Sequence, residues 1–177
     1  MGTISQSAAD TAMWKGVDMA DIELDAIDRQ LLRLLDADAR ASGRALARRL
    51  RVAESTVALR IRRLVSAGVI AKFGITVDKD RIGLPLEAMV SCQIGHLDRS
   101  AIAALRRDAP TWPGVLSVFH MAGSDDFIIH VVATDADALR DFVVDNLASH
   151  PAITRTQTNL VFENLPGTGW ATAFDVD

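Results

Sequence analysis

Ser55 and Thr56 open a helical run that goes on to carry Arg60, Arg62 and Arg63, a set of side chains suited to nucleic acid. Short hydroxyl donors at the start of a helix reach base edges in the major groove, and guanidinium groups along its flanks meet phosphates. The three arginines project at different angles, so they cannot all serve bases. Arg60 or Arg63 falls near a base edge or a phosphate, and Arg49, one helix earlier, suits a backbone phosphate. The local charge agrees. Although the chain carries a net charge of −4, the stretch from Arg40 to Lys72 holds nine basic residues against one acid, Glu54. From Lys79 to Asp177 the balance reverses, with seven basic residues against thirteen acids. A cationic module can thus meet double-stranded DNA while the acidic remainder faces solvent, a ligand or another subunit. The bland alternative is a basic, solvated helix surface.

Other chemistries find less support. Cys92 is the single cysteine, which excludes an internal disulfide and a thiolate zinc cluster and suits a small buried hydrophobe. His96, His120, His130 and His150 have no metal-ligand spacing and read as structural or surface residues. No acid–base or nucleophilic constellation is visible, so no catalytic residue, metal or cofactor is expected. The apolar stretches 88–94 and 127–133 are too short to span a bilayer, and the first twenty residues lack a secretion-signal pattern, so no membrane partner and a cytoplasmic location are expected.

The elements that position these residues follow from hydrophobic period. Residues 1–20 have no convincing period and read as a flexible tail, with Trp14 as its one candidate tether. Ile27, Leu31, Leu34 and Leu35 mark a helix over 25–37, with Asp25 and Asp28 at its positive end. A second helix covers 43–50. After Arg51-Val52-Ala53 a third begins near Glu54 and stops before Gly68, with Val57, Ile61 and Leu64 inward. Thr56, Arg60 and Arg63 lie along another face; Ser55, Leu59 and Arg62 form the neighbouring one. Val69-Ile70 is expected to start a small strand, giving a winged or strand-tailed helix-turn-helix over 21–70.

Residues 71–83 read as a linker, and the period then changes. Leu86, Ala88, Val90, Cys92 and Ile94 alternate with Glu87, Met89, Ser91 and Gln93, the pattern of a strand with one apolar face. A helix over 99–108, strands over 115–121 and 127–132, a helix over 136–148 and a strand over 153–162 complete βαββαβ. The fold class is α+β: a helix-turn-helix followed by a ferredoxin-like domain over 84–163, with 164–177 as a C-terminal tail. Two helices cover one side of such a sheet. If the other side is largely apolar, it needs a partner, and dimerisation follows.

Leu24-Asp25-Ala26-Ile27-Asp28-Arg29-Gln30-Leu31-Leu32 resembles the opening helix of the Lrp/AsnC, or feast/famine, transcription regulators. Ser55-Thr56-Val57, then Arg60-Ile61-Arg62-Arg63-Leu64 and Gly68-Val69-Ile70, resembles the family's recognition helix and exit, and Gly123-Ser124-Asp125-Asp126-Phe127 resembles its Gly-x-x-Asp-aromatic loop. The likeness covers residues 23 to 163. It implies a homodimer built through the C-terminal modules, further assembled into tetramers or octamers, with an amino acid or similar small molecule as effector. Carried over, Gly123 allows a tight approach of the effector loop, Ser124 and Asp125 border the pocket, Asp126 orients polar atoms and Phe127 anchors the loop. Read without the resemblance, the same loop is a hairpin with a glycine turn and solvated aspartates.

Two positions depart from the family's pattern. Arg51 stands at a turn position commonly filled by glycine, and Ala53 replaces a serine-like cap, a loss of about 0.5–2 kcal/mol unless Ser55 or the backbone compensates. Two other functions fit the architecture. One is a DNA-silent metabolite sensor or assembly protein; the other is an enzyme resembling the siroheme decarboxylases, which share the two-module design.

Overall fold

The computed structural model describes residues 22–95 and 99–175. The expected N-terminal tail with Trp14, and His96, lie outside the described residues. The chain divides into two compact units, one comprising residues up to 75 together with those from 167 onward, the other residues 76–166.

Three helices form the first unit: α1 (Ala26–Ala37), α2 (Gly43–Leu50) and α3 (Glu54–Ser66). Asp25 and Asp28 cap α1 reciprocally: the Asp28 N–H donates to Asp25 Oδ1 at 2.8 Å and the Asp25 N–H to Asp28 Oδ2 at 3.3 Å. Ser42 caps α2 by accepting from the Ala45 N–H at 3.2 Å. Leu31, Leu35, Leu46, Leu50, Val57 and Leu64 meet in the core. Gly68, at φ +73°, turns the chain out of α3. The strand expected at Val69-Ile70 does not form. Ile70 instead donates its N–H to the Leu64 carbonyl at 3.1 Å and packs with Val69 on the helical core, so α3's exit uses the groups a strand would need. The C-terminal segment, expected only as a tail, carries a 3₁₀ turn at Trp170–Asp175. There the Trp170 indole N–H donates to Asp36 Oδ1 and Arg33 donates to the Ala171 carbonyl, each at 3.3 Å.

The second unit contains β1 (Leu86–Ile94), α4 (Arg99–Asp108), β2 (Val115–His120), β3 (Phe127–Ala133), α5 (Ala136–Phe142) and β4 (Ile153–Leu160). The strands form one antiparallel sheet in the order β2-β3-β1-β4, as a ferredoxin-like connection requires. The helix expected over 136–148 continues past α5 as a π-helix over Val143–Ala148, in which the Ser149 N–H reaches the Val144 carbonyl. The Asn146 side chain donates to the Phe142 carbonyl at 3.0 Å and so competes for the α-helical acceptor. Ala88, Val90, Cys92, Phe127, Ile129 and Val131 pack with Leu105, Leu139 and Leu147 from the helical segments. Gly114 opens β2 at φ +81°, where a Cβ would lie 2.5 Å from the Val132 carbonyl oxygen, so no other residue fits.

Strand register assigns the opposite face to Glu87, Met89, Ser91 and Gln93 of β1, Phe119 of β2, Ile128, His130 and Val132 of β3, and Arg155, Gln157 and Asn159 of β4. That face is not uniformly apolar. Met89, Phe119 and Ile128 are its solvent-accessible apolar residues; Ser117 of β2, His130 of β3 and the β4 positions make the rest polar. Among the described residues no helix is long and apolar enough to cross a membrane.

Candidate functional site

Arg51 ends α2 in the left-handed conformation, φ 57° and ψ 42°, doing with a side chain what glycine does more readily. It stays exposed. Ala53 then precedes α3 with no side-chain cap, and Ser55 does not supply one; only the Thr56 and Val57 N–H groups return to the Ala53 carbonyl. Burial of Val57 and Leu64 sets the rotation of α3 and leaves Ser55, Leu59 and Arg62 on an exposed stripe with Thr56 half-buried beside it. Leu59 is 61% exposed, a large apolar side chain between a hydroxyl and a guanidinium. The helical spacing had placed Leu59 on this face without giving it a part.

The arginines separate into two kinds. Arg60 turns inward: its Nη1 donates to Asp25 Oδ2 at 2.7 Å and to Asp28 Oδ1 at 2.8 Å, and its Nε is buried without a partner among the described residues. The expectation that Arg60 or Arg63 falls near a base edge or a phosphate thus meets a competing partner at Arg60, since a carboxylate fully buried beneath α3 holds its guanidinium. Arg63 also gives one nitrogen to Asp28, but its side chain stays 46% exposed. Arg49 and Arg62 are exposed and form no ion pair with a described residue. The Asp28 N–H and then Arg60 hold the Asp25 carboxyl below its ordinary value.

In the second unit the segment 123–126 joins β2 to β3. Gly123 sits at φ +152°, and an added Cβ would meet open space; the dihedral, not a close approach, demands glycine there. Asp126 accepts the Ile94 N–H on Oδ2 at 2.7 Å, and its backbone bonds to Cys92 and Met121, so it anchors the loop to the sheet. Phe127 is buried and stacks on His120 at 4.5 Å. Ser124 and Asp125 line a cavity of about 250 Å³ with Ser91, Gln93, Arg155 and Gln157. Gly123 and Asp126 do not. Gln93 Nε2 donates to the Ser124 carbonyl at 3.0 Å and lies 3.4 Å from Asp125 Oδ1. Arg155 and Gln157 were not anticipated, although alternation along β4 puts them on the face of Gln93 and Ser91.

The remaining reactive groups have structural partners. Burial, reinforced by the Asp125 charge, pushes the Cys92 thiol up to about 12, which leaves no thiolate at neutral pH. His130 meets Glu87, and His150 Nδ1 accepts the Ala152 N–H at 3.3 Å. Among the described residues no three His, Cys, Asp or Glu side chains gather as metal ligands.

Residues 24–71 match the winged helix-turn-helix DNA-binding family, and residues 87–170 match the Lrp/AsnC ligand binding domain. The chain is 43% identical over 150 residues to the HTH-type transcriptional regulator AldR of Mycobacterium tuberculosis, covering 85% of this chain and 84% of that one. The chain belongs to the Lrp/AsnC family. To AzlB, a transcriptional regulator of Bacillus subtilis, this Lrp/AsnC protein is 32% identical over 140 residues, covering 79% of it and 89% of AzlB. The crystal structure of MtbAldR superimposes with a TM-score of 0.72 at 40% identity, covering 83% of this chain and 97% of that one. A Neisseria meningitidis transcriptional regulator solved as its L-Met complex gives 0.77 at 26% identity, covering 82% and 94%. As an Lrp/AsnC member the chain is a DNA-binding transcription regulator that responds to a small-molecule ligand through its C-terminal domain. The relatives it matches are transcription regulators, which sets the decarboxylase-like alternative aside.

Proposed function

We propose that α3 enters the major groove with Ser55, Thr56 and Leu59 toward base edges, while Arg49, Arg62 and the free edge of Arg63 contact phosphates. The observation that carries this reading is the exposed Ser55–Leu59–Arg62 stripe directly opposite the buried Val57–Leu64 stripe. A DNA-silent sensor would have no use for three polar and cationic positions held open around an exposed leucine.

The more apolar part of the free sheet face, Met89, Phe119 and Ile128, pairs with a second copy of the chain, and two α3 helices then read a two-fold operator. Such dimers assemble further into tetramers or octamers. The effector is an amino acid or a close relative held beside Ser124 and Asp125, on a loop fixed by Gly123 and Asp126; the L-Met bound by the Neisseria relative supports this class. The effector acts by binding one assembly geometry better than another. A coupling of about 1–3 kcal/mol changes operator affinity five- to 150-fold.

Selection of genomic fragments on the purified protein, followed by salt titration of the enriched sequence, tests the reading. Enrichment of a two-fold sequence with a steep negative salt slope is expected; a folded oligomer that enriches nothing overturns it.

A further inference from the structure

The cavity beside the 123–126 loop has a composition unusual for a metabolite site, because no residue lining it is apolar. Register puts Gln93 opposite Arg155 and Ser91 opposite Gln157 across the β1–β4 pair, while Ser124 and Asp125 close the end. We propose that this cavity binds an α-amino acid with an uncharged polar side chain: Arg155 takes the carboxylate, Asp125 takes the ammonium, and Gln157 with Ser91 takes the side chain. The proposal rests on the reading of the second unit as the effector domain and narrows the effector to a chemical class.

Three features carry it. About 250 Å³ falls short of the roughly 300–1,000 Å³ of sites for drug-sized ligands, which favours a single small metabolite over a nucleotide or tetrapyrrole. The lining holds one guanidinium and one carboxylate, so a zwitterion neutralises both and leaves no charge over. An acidic or basic side chain would add an unpaired one. Arginine's planar fork also matches a carboxylate in a way a point charge does not. The third feature is what remains: a carboxamide, bonded through its Nε2 to Asn159 Oδ1 at 3.1 Å, and a nearly buried serine hydroxyl. An aliphatic side chain would strip water from these groups and give them no partner in return. The loop is held for the task, since Gln93 ties down Ser124 and Asp125 and Asp126 is bonded to the end of β1.

Calorimetric titration of the full-length protein with L-glutamine, L-serine, L-methionine and L-leucine provides the test. L-Glutamine should bind at least tenfold tighter than L-methionine, which has similar length. Arg155→Met should weaken L-glutamine at least tenfold while size-exclusion and circular-dichroism profiles stay unchanged. Gln157→Leu should move the preference toward L-methionine by about tenfold, a shift that a general loss of structure would not produce. Equal affinity for L-methionine and L-glutamine overturns the proposal, as does an Arg155→Met protein that binds L-glutamine normally. If L-leucine or L-methionine alone alters operator binding, and does so equally in Arg155→Met, the effector reading stands and this proposal falls. If no amino acid of the panel binds or shifts operator affinity, both fall.

Discussion

Arg60 on α3 and Asp28 on α1 are joined at 2.8 Å by a bond whose carboxylate has no exposure to solvent. The pair helps fix the rotation of α3 from beneath. Asp25 shares the same guanidinium, so the α1 cap and the α3 support are one network.

Arg60→Met should therefore act on stability more than on DNA chemistry. Leaving a buried charge unpaired costs about 3–5 kcal/mol, and the loss here should be smaller because Arg63 still bonds Asp28. Denaturant melts should show that loss, while the slope of log affinity against log salt stays at its wild-type value under conditions where the protein is folded.

Arg62→Ala combined with Arg63→Ala should behave the opposite way. Each lost phosphate contact lowers the magnitude of the salt slope by about 0.9. We expect weaker operator binding with a shallower slope in fluorescence anisotropy, and an unchanged oligomer; an unaltered slope would remove both residues from the interface.

Ala53→Ser tests the bare start of α3. A serine there can accept an N–H from the first turn, and the gain should be about 0.5–2 kcal/mol, read as a rise in melting temperature. No rise would mean that the local backbone cannot present the hydroxyl.

Glu87 gives the pH dependence. Burial pushes its carboxyl up, but bonds and charge from Lys79 and His130 outweigh burial and hold it below its ordinary value. A depressed carboxylate stabilises the fold above its unfolded value and loses that contribution as pH falls through the folded one. Wild type should thus exceed Glu87→Gln by about 1–3 kcal/mol at pH 7. That gap should close below the ordinary glutamate range, as chemical denaturation at a series of pH values would show.

Periodic apolar residues made the helices and strands legible, since Leu31, Leu35, Val57 and Leu64, or Ala88, Val90 and Cys92, can only point one way. Boundaries fell within a few residues for the same reason. What was not legible depended on partners distant in sequence. Val69-Ile70 lacked a neighbour to make a ladder, Arg60 met carboxylates 32 and 35 positions away, and Arg155 joined the cavity only once β4 paired with β1. The π-helical turn also escaped notice, because a single side chain, Asn146, diverts the carbonyl that would have continued α5.

The return of residues 167–175 to α1 means that the polypeptide crosses between the two units twice, once on either side of the 76–166 block. Removing the chain after Pro166 would strip the Trp170–Asp36 and Arg33–Ala171 bonds from α1, so the helical unit keeps its full stability only while a segment far downstream in sequence is in place.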